Sequence, residues 1–231
     1  MVDLSAFEKI TNIVFNDKKL LEQAFIHRSY INESTGSKLS HNERLEFLGD
    51  AVLELIVTDY LYNKYPDRDE GELTAYRSAL VNAVIIGEVA QAIGMNDYLL
   101  LSKGEAKDAG RARSYILANT YEAYVGAVYI DQGYDVARDF ISRTLFGKID
   151  TIVAKKLWRD AKSLVQEKSQ EYLNMTPVYK VISEAGPDHD KHFTIGVFFG
   201  DEQIATGKGK SKQEAEQAAA RSALEIKDWL D

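Results

Sequence analysis

Residues 40–52 read SHNERLEFLGDAV, and their spacing sets the architecture of the first half of the chain. Leu45, Leu48, Val52 and Leu55 recur at helical steps and are expected to face a core. Glu43, Glu46 and Asp50 stand at i, i+3 and i+7, so they share a face of the same helix. A carboxylate taken out of water is costly unless something positive meets it. That face therefore looks into water or toward a cation. Each acid also has a plainer reading. Ser40 and Glu43 have the S-x-x-E spacing of a capping box, acids suit the first turn of a helix, and Glu46 and Asp50 read equally as solvated charge.

Outward from this segment, residues 1–155 read helical almost throughout. The runs 16–25, 43–65, 72–94, 113–133 and 134–156 all repeat apolar residues at three- and four-residue steps. The lone proline here, Pro66, falls at an expected helix end. The period changes near residue 160. A short amphipathic helix (160–173) is followed by PVYKVISEAG, KHFTIGVFFG and DEQIATGKGK, which alternate like strands, and then by a helix opened by a Ser211–Glu214 capping box. The expected fold is an all-α domain over 1–155, a short charged linker near 154–160, and a small α+β domain of order α-β-β-β-α over 160–231.

The 231 residues are 45% hydrophobic, carry a formal net charge of -8 and contain no cysteine. Disulfides, thiolate metal sites and thiol nucleophiles are thereby excluded. No apolar run reaches the roughly 18 residues of a membrane span, and the first residues carry no basic-then-apolar secretory pattern. A cytoplasmic protein without membrane association is expected. The negative charge argues mildly against nucleic-acid binding, although a basic patch can be local within an acidic chain.

A second polar pair strengthens the cation reading. SYILANTYEAYVGAVYID is strongly apolar, yet it holds Asn119 and Glu122 three residues apart. Two apolar helices, each bearing oxygen side chains on one face, fit a metal site built between helices. With no cysteine, and no histidine in either segment, the ligand set suits Mg²⁺, with Mn²⁺ as substitute, rather than Zn²⁺.

The nine residues NERLEFLGD at 42–50 closely resemble the signature of the ribonuclease III family. AFIHRSY (24–30) resembles the family's first-helix motif, and EGELT (70–74), LSKGEAKDAGR (101–111) and ILANTYEAYVGAVYID resemble further blocks in the same order. GKGKSKQEAEQAAA resembles part of the double-stranded-RNA-binding domain that follows the nuclease domain in bacterial members. The resemblance implies a metal-dependent endoribonuclease that cuts duplex RNA to 5′-phosphate and 3′-hydroxyl ends with two-nucleotide 3′ overhangs. It implies processing of ribosomal and messenger RNA without a small-molecule cofactor. It assigns metal binding to Glu46, Asp50, Asn119 and Glu122, with Asp50 and Glu122 catalytic, and gives Glu43 and Glu72 a place lining the cleft. Phe47 would pack into a second subunit of a homodimer; its periodicity alone also allows a core role. Where the family usually has Asp, this chain has Asn119. That amide leaves open an active variant, an engineered inactive one, or an enzyme of lower metal affinity. Rival readings are a non-cutting duplex-RNA binder and a helical scaffold with solvated acids.

A-form RNA is read across its shallow groove through 2′-hydroxyls and phosphates. The C-terminal domain offers three separated contacts. Ser163, Gln166 and Glu167 share a face of its first helix, His189 lies in the turn GPDHDK, and Lys208, Lys210 and Lys212 lead into its last helix, whose N-terminus also favours a phosphate. Yet residues 160–231 hold nine Lys and Arg against thirteen Asp and Glu. Family members commonly carry two adjacent bases at the start of the last helix; here Gln213 follows Lys212. Binding is expected to be modest and strongly salt-dependent.

Overall fold

The computed structural model describes residues 3–33, 40–107, 110–154, 156, 158–187 and 191–229. The chain divides into two units, Met1–Trp158 and Arg159–Asp231, each with its own hydrophobic core.

The first unit is built around α7 (Arg111–Gln132). From residue 116 to 128 every position of this helix is buried except Asn119 and Glu122. A helix apolar on nearly all sides must be surrounded by others. Its main neighbour is α4 (Glu43–Lys64), which buries Leu45, Gly49, Val52, Leu53, Ile56, Val57 and Leu61. Smaller helices complete the unit: α1 (Ser5–Thr11), α2 (Lys18–Ala24), α3 (Arg28–Glu33), α5 (Glu70–Leu80), α6 (Ala83–Ala92), α8 (Tyr134–Thr144) and α9 (Ile149–Ala154). The AFIHRSY segment straddles the end of α2 and the start of α3 rather than forming one helix.

Side-chain caps break apolar runs that periodicity alone reads as continuous. The 72–94 run is two helices bent by 45°, because the Asn82 side chain accepts hydrogen bonds from the amides of Val84 and Ile85 and so starts α6 afresh. The 134–156 run is divided by a 3-10 turn at Phe146–Lys148. Between α7 and α8 a single residue, Gly133 at φ +85°, interrupts the helix. Among the described residues no single helix is long and apolar enough to cross a membrane.

In the second unit, α10 (Ala161–Leu173) leads into an antiparallel meander of β1 (Pro177–Ala185), β2 (His192–Phe199) and β3 (Glu202–Gly209), closed by α11 (Lys212–Lys227). The α-β-β-β-α order is the one read from the sequence. Alanines at 215, 219, 220 and 223 form the buried stripe of α11, and this small-residue stripe lets the helix lie close on the sheet. Gly207 and Gly209 complete the fit: a Cβ on Gly207 would collide with the backbone of Ala215 and Ala219. Ser211 caps α11 by accepting from the Glu214 amide, while the Glu214 carboxylate accepts from the Lys210 amide, one residue earlier than in the reciprocal box.

Candidate active site

The acidic face begins where α4 is anchored. Asn42 is buried; its amide donates to the Ile26 carbonyl (2.9 Å) and its side chain to the Ala24 carbonyl (3.1 Å). These bonds fix the first turn of α4 against the end of α2. The helix starts at Glu43 with Asn42 at the N-cap, and the Ser40–Glu43 box proposed from spacing is not the cap. Glu43 instead lies 3.4 Å from Arg28 and 3.7 Å from His41.

Further along α4, Glu46 is half-buried and Asp50 exposed. Burial, and then the charges of Glu43 and Asp50, raise the pKa of Glu46; Arg28 opposes them. On α7, Glu122 is pushed up to about 8, first by burial and then by the charges of Asp50 and Glu46. The fold thus brings Glu46, Asp50 and Glu122, from two helices, within electrostatic reach of one another. Asn119 is the other break in the buried stretch of α7, one turn before Glu122. An amide there adds an oxygen without a further charge.

The close approach has a backbone cause. A Cβ on Gly49 would strike the Glu122 carbonyl and stand 2.9 Å from the Gly126 nitrogen. Sequence reading passed over Gly49 and Gly126, although a glycine inside a helix, disfavoured by about 1 kcal/mol against alanine, signals such an approach. It also passed over Arg28, the cation beside Glu43 and Glu46.

Glu72 is half-buried and pairs with Arg68 at 3.1 Å at the start of α5; its interactions do not join it to the three acids. Leu55, expected to face the core, is 59% exposed. It continues a stripe with Phe47 (82% exposed) and Tyr62 (69% exposed) along one side of α4. The spacing explains this: Leu55 lies eight residues after Phe47, within about 80° of it around the helix, whereas Leu45 and Val52 turn inward.

Among the described residues, no three His, Cys, Asp or Glu side chains already stand close enough to hold a metal ion. The donor set nevertheless fits a hard ion. Mg²⁺ usually retains several waters and takes one or two carboxylates directly, and mutually repelling half-buried acids gain from any cation placed among them.

In the second unit Ser163, Gln166 and Glu167 are exposed along α10. Asp160 caps this helix by accepting from the Ser163 amide (2.7 Å). Lys208, Lys210 and Lys212 are exposed at the approach to α11. His189 lies outside the described residues.

A family profile described as Ribonuclease-III-like matches residues 17–149, and one described as Double-stranded RNA binding motif matches 161–227. Proteins named Ribonuclease 3 from Protochlamydia amoebophila and Carboxydothermus hydrogenoformans are each 46% identical, covering 95% and 97% of this chain and 90% and 95% of their own lengths. The nuclease domain of ribonuclease III from Campylobacter jejuni, whose structure is described as flexible in a region involved in dimer formation, is 35% identical with a TM-score of 0.56 over 62% of this chain and 95% of its own. The chain belongs to the ribonuclease III family. It is an endoribonuclease whose helical nuclease domain is followed by a double-stranded-RNA-binding motif.

Proposed function

We propose that this endoribonuclease is metal-dependent and hydrolyses phosphodiester bonds of duplex RNA to 5′-phosphate and 3′-hydroxyl ends with short 3′ overhangs. The observation that carries this reading is that the two breaks in the buried stretch of α7 are Asn119 and Glu122, and that the charges of Asp50 and Glu46 on α4, after burial, raise the proton affinity of Glu122. Glu46, Asp50, Glu122 and the Asn119 amide oxygen would hold Mg²⁺ or Mn²⁺, directly or through waters that the ion retains. When bound, such an ion supplies an activated water and offsets charge developing on the phosphate and the leaving oxygen. Glu43 and Glu72 line the approach to the cleft. Arg28 holds Glu43 beside the acidic face and moderates the repulsion at Glu46.

The working form is a homodimer joined along Phe47, Leu55 and Tyr62. An apolar stripe left exposed on one protomer supports it, because such stripes mark interaction surfaces. The dimer-forming region described for the Campylobacter jejuni nuclease domain points the same way. The C-terminal unit anchors the duplex through Ser163, Gln166, Glu167, His189 and the lysines before and at the start of α11. The enzyme acts in the cytoplasm on structured ribosomal and messenger transcripts.

The test is cleavage of an end-labelled RNA duplex by the full chain and by residues 1–158. Mg²⁺ or Mn²⁺ is expected to permit cutting, a chelator to stop it, and Ca²⁺ to allow binding with little cutting. The shorter chain should cut at low salt and lose the RNA as salt rises. Cleavage that persists after thorough chelation overturns the metal reading. A second reading, a binder that does not cut, draws on Asn119 and is separated by the Asn119→Asp variant discussed below.

A further inference from the structure

Lys212, the first residue of α11, is the base at the helix start that the duplex-binding reading relies on, and it is already engaged. Its Nζ lies 3.1 Å from Glu184 Oε1, and its ammonium stands 5.6 Å from the centre of the Phe193 ring. Glu184 and Phe193 are register partners on β1 and β2, so the lysine bridges from α11 to the end of this strand pair. The pair ties the start of α11, one of the RNA contacts expected of the domain, to the ends of β1 and β2. Gln213 supplies no second base to take over, and Lys162, on α10, is committed to Glu216 (2.6 Å).

We propose that Glu184 is an internal competitor for the RNA phosphate at Lys212 and thereby lowers the duplex affinity and the salt dependence of this chain. The proposal rests on the duplex-binding reading of the C-terminal unit. A carboxylate and a phosphate oxygen offer an ammonium group the same charge-assisted hydrogen bond. When a phosphate takes Lys212, the RNA releases a counterion, but the uncovered Glu184 takes one up. The usual gain from counterion release at that contact is cancelled. Both partners are largely exposed, Lys212 by 57% and Glu184 by 40%, so the pair is weak enough to exchange.

The experiment is equilibrium binding of a fully paired RNA duplex of about 16 base pairs, the span of one such domain, to the full chain with chelator present, across a KCl series. Glu184→Gln is expected to bind about two- to five-fold tighter at low salt, the range set by an exposed ion pair. Its plot of log affinity against log salt should be steeper by nearly one unit. Glu225→Gln removes the same charge from an exposed site on α11 with no described ion pair, and should change affinity less and leave the slope unaltered. Adding Lys212→Ala to Glu184→Gln should abolish the gain. Parent-like affinity and slope for Glu184→Gln, or equal gains from the two Gln variants, overturn the proposal while duplex binding stands. A parent chain that binds no duplex overturns both.

Discussion

Gly49 and Gly126 meet where α4 crosses α7, and a Cβ on Gly126 would stand 3.1 Å from the Gly49 nitrogen while striking the Leu45 carbonyl. The two helices therefore touch through their backbones. That contact sets the separation between the α4 acids and Glu122, whose proton affinity depends on Asp50 and Glu46. The acidic site is thus a consequence of helix packing as much as of acidic residues.

Gly126→Ala should push α4 from α7 and destabilise the fold by about 1–3 kcal/mol or more, the range for an overpacked core. Activity at a temperature where the variant is still folded should fall further than stability accounts for, because the acids are displaced. Thermal unfolding and single-turnover cleavage, compared on the same preparation, check both effects. A variant as stable and active as the parent would show that the crossing tolerates a methyl group.

Glu122 links the site to pH. Its pKa in the folded chain is about 8 against a reference of 4.5, so the folded state holds a proton that the unfolded state loses. The metal-free protein should be most stable below the reference value and lose stability as pH rises through about 8. Glu122→Gln carries no such proton and should flatten this decline, so that at alkaline pH without metal it melts above the parent. Its cleavage should drop by on the order of a hundredfold or more, the upper range for disturbing a metal's surroundings. Melting curves across pH in chelator, with cleavage assays in Mg²⁺, test the two signs together.

Asn119→Asp adds a negative charge beside Glu122. With metal, that charge is attracted to the ion; without it, the acids repel one another more strongly. The variant should bind Mg²⁺ more tightly and cut faster than the parent, yet melt earlier in chelator. The parent should favour Mn²⁺, which accepts mixed carboxylate and carbonyl ligands. If the parent already cuts as fast as the Asp form, the amide is an adequate ligand. If neither cuts with any metal, the non-cutting reading prevails.

Phe47→Ala should loosen self-association by about 2 kcal/mol, roughly thirtyfold in dissociation constant. The ring is 82% exposed in the protomer, so the melting temperature of the monomer should hardly change. Sedimentation over a concentration series separates the outcomes: an unchanged dimer would remove Phe47 from the interface.

The order of elements in the second unit was legible because strands and helices carry different apolar periods, and three alternating runs between two amphipathic helices have few other readings. The shared face of Glu43, Glu46 and Asp50 was equally legible, since positions along one helix follow from its 3.6-residue turn. Boundaries marked by polar caps escaped periodicity: Asn82 splits an apolar run because its side chain, not its hydrophobicity, competes for the backbone amides.

Relations between separate segments could be settled only by packing. The amino-acid order by itself determined which residues carry charge, which faces they share, and that the chain has a helical half and an α+β half. Tertiary structure decided that Leu55 and Phe47 stand outside the core, that Arg28 rather than a cap partners Glu43, and that Lys212 is held by Glu184. It also decided how near Glu122 comes to Glu46 and Asp50. The physical reason is that local spacing fixes directions around one helix axis, whereas the distance between two helices depends on what lies between them, and between α4 and α7 that is two glycines with no side chains.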